Sequence, residues 1–269
     1  MKNRIGFQVT RQENTEAVMP ASEQPKTEAR RSLVTVRFPS DDMAFTYYND
    51  SFDLHRNDMV YVEGRREGER GMVTEVEYNF RIRLSDYKRV LAVVDTELHG
   101  TFHIAGSHMM TFDRAALPRE KARLWFLPPM KDEEYVSGGD DRMYPLTDFS
   151  EWELAPGVFD RGHGYYCENR VAYLSLDGEK GYAVVKGKKP YEVEFICRDG
   201  MIGALTCDCF CSGICKHELA AVMQLRDLLD CAMKEHREEY RASGCLTAVE
   251  KELFCAMTMG ARSGGTVVL

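Results

Sequence analysis

Residues 207–217 read CDCFCSGICKH, which crowds four thiols and an imidazole, all metal-capable, into one short segment. A stretch so rich in thiols and so poor in bulky apolar residues cannot be organised by hydrophobic burial alone. It needs cross-links, either disulfides or a metal ion. The chain has nine cysteines. Four of them (Cys207, Cys209, Cys211 and Cys215) fall in this segment and the rest are scattered. A disulfide framework would spread its cysteines along the chain, and thiols two residues apart are poorly placed to bridge each other. The crowding therefore predicts a metal.

The expected ligands are Cys207-x-Cys209, five intervening residues, then Cys215-x-His217. Thiolates and an imidazole suit a tetrahedral zinc, with bonds of about 2.0–2.3 Å. On a strand, residues i and i+2 share a face, so Cys207 and Cys209 chelate as a pair at the end of GALTCDC. Cys215 and His217 sit where a long helix begins, and its N-terminus favours the negative charge of a three-thiolate site. Ser212-Gly213 supplies the turn between the two pairs. A first pair of Cys209 and Cys211 would leave only three residues before the second pair, so Cys211 is read as a neighbouring or spare thiol. Four protein ligands leave no position for an activated water, so the single zinc is expected to be structural. No phosphate loop, nucleophile elbow or His-Glu-x-x-His motif occurs, and the chain is read as a non-enzyme.

The apolar share of 44% and the charged share of 29% describe an ordinary globular composition. No apolar run approaches the roughly 18–20 residues of a membrane span. The N-terminus lacks the apolar core of a secretory signal, and a cytoplasmic, intracellular location is expected. Thiols kept reduced or metal-bound fit that compartment.

The expected fold class is α+β. Residues 1–31 read as a flexible polar arm. Residues 32–106 hold short Val-, Tyr- and Phe-rich segments (32–38, 44–50, 58–64, 71–80, 89–98 and 100–106) separated by polar turns. They predict a small antiparallel β-barrel or sandwich. The rhythm of NDMVYVEG and GERGMVTEV resembles small SH3-like barrels. Residues 107–155 read as a connecting region, with a short helix in ALPREKARLWFL and solvated acidic loops at 132–141. A second β-rich block from 158 carries hairpin turns at Asp177-Gly178 and Asp199-Gly200. From Ile214 to Ser243 neither Gly nor Pro occurs, and Ala221, Leu225, Leu228 and Ala232 mark one apolar helix ending at Gly244. Residues 231–269 read as a helical extension. There, Thr247-x-x-Glu250 looks like a capping box, Gly260 like a stop, and SGGTVVL like an edge strand or a disordered tail.

The order and spacing of the four ligands resemble the SWIM zinc-finger family, whose pattern is Cys-x-Cys, a loop, then Cys-x-His on a β-β-α frame. Val158, Arg161-Gly162, Tyr165-Tyr166 and Val171 resemble its leading strand, VVKGKKPYEVEF its next segment, and CKHELAAVM its helix start. The likeness spans residues 156–230, with a loop at the short end of the family range. It implies recognition of DNA or of a protein partner within a larger nucleic-acid-associated assembly; apart from the resemblance, no membrane partner is expected and no small-molecule substrate is evident.

Lys186, Lys188, Lys189, Lys216 and Arg161 are the candidates for a basic face that meets phosphates. The formal net charge of −8 opposes a whole-protein grip on nucleic acid. The competing expectation is a protein-interaction role in which zinc only holds the fold. His99, His103 and His108 match no metal-ligand spacing. Cys167, Cys197, Cys231, Cys245 and Cys255 are expected as small buried hydrophobes.

Overall fold

The computed structural model describes residues 7–10, 29–129, 138, 142–209, 211–258 and 264–268. In chain order the strands are β1 (Phe7–Thr10), β2 (Ser32–Arg37), β3 (Ala44–Asn49), β4 (Met59–Val62), β5 (Arg70–Glu77), β6 (Val90–Val94), β7 (His99–Ala105), β8 (His108–Thr111), β9 (Met143–Pro145), β10 (Val171–Asp177), β11 (Lys180–Lys186), β12 (Pro190–Arg198), β13 (Met201–Cys207), β14 (Cys245–Glu250) and β15 (Gly264–Val268). The helices are α1 (Arg119–Arg123), α2 (Val158–Cys167), α3 (Lys216–Glu235), α4 (Arg237–Ser243) and α5 (Lys251–Thr258). The fold is mixed α+β and mostly sheet. Its two units divide near residues 12, 96, 123 and 133.

The smaller unit is a five-stranded antiparallel sheet in the order β3-β2-β5-β4-β6. Val34, Val36, Phe38, Val60, Val62 and Val73 alternate into one core, as the period of two in their segments dictates. Gly71 lets β5 approach β2, since a Cβ there would lie 2.2 Å from Val36 Cγ1. Of the barrel or sandwich expected, no closed barrel forms among the described residues. β3 is exposed over its first half and buried only over its second, and the two edges meet at a single bridge between Tyr48 and Arg89. The sheet therefore curls without closing.

The larger unit holds a ten-stranded sheet in the order β1-β15-β7-β8-β14-β10-β11-β12-β13-β9. Among these, β1, β15 and β7 run parallel, and the other neighbours are antiparallel. The segment 100–106 pairs here as β7, so the first β-rich block ends before residue 106. The connecting region contributes β8, β9 and α1. Phe7–Thr10, read as part of the arm, pairs with β15, which makes the C-terminal segment an inner strand. The rest of the arm from 11 to 28, the acidic groups at 132–134 and 139–141, and Gly260 lie outside the described residues.

Two segments change class. VFDRGHGYYC is helix α2, not a leading strand. Val158 and Gly162, four residues apart, are its buried positions, and the aromatic content masked that helical spacing. Gly162 sits against α3, where a Cβ would come within 2.8 Å of Leu219. CLTAVE is β14, buried at every position between β8 and β10. Hydrogen-bond ladders on both sides outweigh the local Thr247/Glu250 cap, and the helix starts after it, at Lys251.

The Asp-Gly turns are as expected. Asp199 and Gly200 both have positive φ (51° and 76°), joining β12 to β13, and Gly178 (φ 59°) opens the β10–β11 turn. Helix α3 is buried continuously from His217 to Leu225, because the sheet covers one side of it and α2 another. The expected single helix to Gly244 is broken at His236 (φ −133°, ψ 33°), and Gly244 closes α4 in the left-handed region.

Candidate metal centre

β12, β13 and α3 follow one another as strand, strand and helix, and the centre lies where the last strand ends and the helix begins. Cys207 is the final residue of β13, opposite Val193 on β12. Asp208 points the other way. Its carboxylate accepts the Glu192 backbone N–H (3.0 Å) and the Lys189 ammonium (3.1 Å), and its own N–H donates to Glu192 O. This pins the strand exit so that Cys207 and Cys209 can converge. Sequence reading left Asp208 unassigned, although its place between two ligand cysteines put it on the opposite face.

Gly213, at φ 80°, turns the chain toward α3. Cys215 is the N-cap, in extended backbone. Its thiol accepts the Glu218 N–H while the Glu218 carboxylate accepts the Cys215 N–H, a reciprocal capping box built on a cysteine. The signal was present as Cys-x-x-Glu, with sulfur in the place of the usual hydroxyl.

The ligand atoms of Cys207, Cys209, Cys215 and His217 all lie within 4.8 Å of one another. His217 Nδ1 is 3.6 Å from Cys207 Sγ and 3.7 Å from Cys215 Sγ. A tetrahedral ion with bonds of about 2.0 Å to nitrogen and 2.3 Å to sulfur has nitrogen–sulfur edges near 3.5 Å. The donors are therefore spaced for one four-coordinate ion. Cys211 is exposed and stands outside this set.

The electrostatics call for a cation. Without one, the Cys207 thiol and burial drive the Cys215 thiol far up, and burial pushes Cys209 up to about 12. Burial, with Lys216 adding to it, lowers His217 to about 4, which keeps its imidazole neutral and able to donate a lone pair. Cys209 and Cys215 hold their protons until a divalent ion compensates the charge.

His217 is oriented by stacking. Its ring lies 4.0 Å from that of Tyr191 at 17° and edge-on to Tyr165 at 5.4 Å. Nε2 is buried with no hydrogen-bond partner among the described residues. A metal-bound imidazole usually donates its second N–H to a carboxylate or carbonyl; here the aromatic walls hold the ring instead. Gly187 makes room for them, since a Cβ there would lie 2.6 Å from Tyr191.

The expected basic face is only partly assembled. Lys186 pairs with Glu250 at 2.7 Å and Lys189 with Asp208. Lys188 is exposed, and Arg161, also exposed, turns back to the start of α2 beside Gly157. Lys216 lies 4.7 Å over the Tyr165 ring, where Arg170, unassigned from sequence, joins it at 4.7 Å. Lys189 lies 5.2 Å over Tyr191.

The remaining sequence candidates disperse. His99 is exposed, and His108 is fully buried with Nε2 2.7 Å from Val171 O and Nδ1 3.0 Å from Ser107 Oγ. Cys245 is buried as expected. Cys197 and Cys231 are half-buried, and Cys167 and Cys255 are exposed because they fall on outward helix positions. Among the described residues no helix is long and apolar enough to cross a membrane. Compared with protein-family models, with curated proteins and with solved structures, the chain matches none.

Proposed function

We propose that the chain is a non-catalytic, nucleic-acid-binding module of SWIM type whose Cys3His centre holds one structural zinc. Zinc is favoured because three thiolates and one imidazole form a complete soft donor set without an open position. The observation that carries the binding reading is the face around His217. There, Arg170 and Lys216 stand over Tyr165, Lys189 stands over Tyr191, and Lys188 is exposed beside them. Cations interleaved with aromatic rings suit phosphates and unstacked bases together.

A competing protein-interaction role draws on the ion pairs of Lys186 and Lys189 and on the net charge of −8, which reduce the positive field. A salt titration of zinc-loaded protein with fluorescent single- and double-stranded DNA separates the two. The nucleic-acid reading expects binding that weakens steeply with salt. The combined Lys188→Ala, Lys216→Ala and Arg170→Ala variant should flatten the slope by about 0.7 per lost phosphate contact on single strands. No binding at low salt would remove this reading and leave the protein-interaction role.

A further inference from the structure

A second group of metal-capable side chains lies in the larger unit and takes no part in the Cys3His centre. The ligand atoms of His103, His236 and Glu239 all fall within 4.8 Å of one another. His103 comes from β7, where alternation separates it from Phe102. Phe102 packs on Phe254 of α5, whereas His103 faces Phe112 and His236. His236 sits at the break between α3 and α4, and Glu239 follows one turn later on α4. The His103 and His236 rings stand 4.1 Å apart, tilted at 49°, and His236 Nδ1 is 3.0 Å from Glu239 Oε2.

Three features of this group go beyond aromatic packing. First, His103 is 6% exposed and its Nδ1 is buried with no hydrogen-bond partner among the described residues. Buried polar atoms in folded proteins are almost always paired, and this unpaired nitrogen, unlike His217 Nε2 between its aromatic walls, belongs to a ring that stands beside a second imidazole and a carboxylate. Second, the break at His236 does not serve the backbone in the usual way. His236 caps α4, yet its side chain accepts no cap hydrogen bond and turns to the Glu239 carboxylate. Straightening the helix through 236 would move the imidazole and carboxylate off their common point. Third, burial is graded. Both imidazoles are buried, while the Glu239 side chain is 52% exposed, which leaves one side of the group open to water.

We propose that His103, His236 and Glu239 form a second metal site, a two-imidazole, one-carboxylate triad that binds a first-row divalent transition ion and leaves coordination positions open to water. Three donors from one side cannot fill a four- or six-coordinate sphere, and the exposed side of Glu239 admits the missing ligands. Bonds of about 2.1 Å at right angles place neighbouring donors about 3.0 Å apart, against about 3.4 Å for tetrahedral angles. The His236–Glu239 separation matches the right-angle case, so an ion that accepts octahedral geometry (iron, manganese, cobalt or nickel in the divalent state) is the class expected. A hydrogen bond between imidazole and carboxylate would have the same length, so the test must count metal.

The test is equilibrium dialysis of the full, zinc-loaded chain against cobalt(II), followed by elemental analysis and visible absorption. The expected result is one cobalt per chain in addition to the zinc, with weak absorption and no sulfur-to-cobalt charge-transfer band. Glu239→Ala, on an exposed side chain, and His236→Asn, which keeps a good helix cap, should each weaken cobalt binding by at least ~10-fold. Far-UV circular dichroism and zinc content that match wild type show that the variants fold. No cobalt beyond the zinc, unchanged affinity in folded Glu239→Ala, or a spectrum dominated by sulfur charge transfer would overturn the proposal.

Discussion

Cys215 caps α3 and is a candidate metal ligand, and a single substitution can separate the two. It caps α3 through the reciprocal hydrogen bonds with Glu218, and its thiol faces His217 Nδ1 across 3.7 Å. Cys215→Ser keeps the first role, since serine with glutamate at the third helical position is a preferred capping box. The hydroxyl still finds the Glu218 N–H, so no buried donor is left unpaired. If capping were the residue's whole contribution, stability would stay within about 0.5 kcal/mol of wild type.

Loss of the metal has a different size. An ion present at about a thousand times its dissociation constant stabilises the folded state by about 4 kcal/mol. Losing one of the three thiolates should remove most of that. The assay is urea unfolding followed by circular dichroism at 222 nm, with zinc and with a chelator. The α-helices described all belong to the larger unit, so the signal reports chiefly the unit that holds the centre. Wild type should lose about 4 kcal/mol on chelation, while the variant starts near the chelated value and barely changes. A variant that keeps its zinc and unfolds with wild-type urea dependence would refute the assignment of Cys215. A wild type indifferent to chelation would refute the structural role of the metal.

Two glycines of α2 give a paired test of its packing on α3. Gly162→Ala gains helix propensity but forces a methyl to within 2.8 Å of Leu219, and should lose about 1 kcal/mol net in urea unfolding. Gly164→Ala meets nothing within 4 Å and should gain about 0.5–1 kcal/mol. The opposite ranking would contradict the close crossing of the two helices. A third prediction concerns acid. Burial lowers the pKa of His108 from its ordinary 6.5, so the unfolded chain binds a proton that the folded chain refuses. Stability should fall as pH drops below about 6.5, by up to about 1.4 kcal/mol per pH unit for this proton. In chelated protein, His108→Gln should reduce that slope by one proton, measured as unfolding free energy against pH.

The metal cluster, the six short strands from 32 to 106, the Asp-Gly turns and the burial of α3 were legible along the chain, because each rests on spacing within a few residues. Two readings failed where local signals pointed one way and neighbours another. VFDRGHGYYC has strand-like aromatics, yet Gly162 is useful only on a helix pressed against Leu219. CLTAVE carries a helix-cap pattern, yet β8 and β10 offer it a ladder on each side. The aromatic cradle of His217 also stayed hidden, because Tyr165 and Tyr191 lie far from it in sequence and on different elements.

The sequence by itself determined which atoms could hold a metal at 207–217, since i,i+2 spacing on a strand end and a helix start fixes donor direction locally. Only the tertiary structure decided which donors meet. It left Cys211 in solvent, tied Lys186 and Lys189 to carboxylates, and brought His103 across from β7 to His236 and Glu239. Contacts between residues more than a hundred positions apart depend on strand order and helix placement, which follow from burying one shared core rather than from any local run of residues.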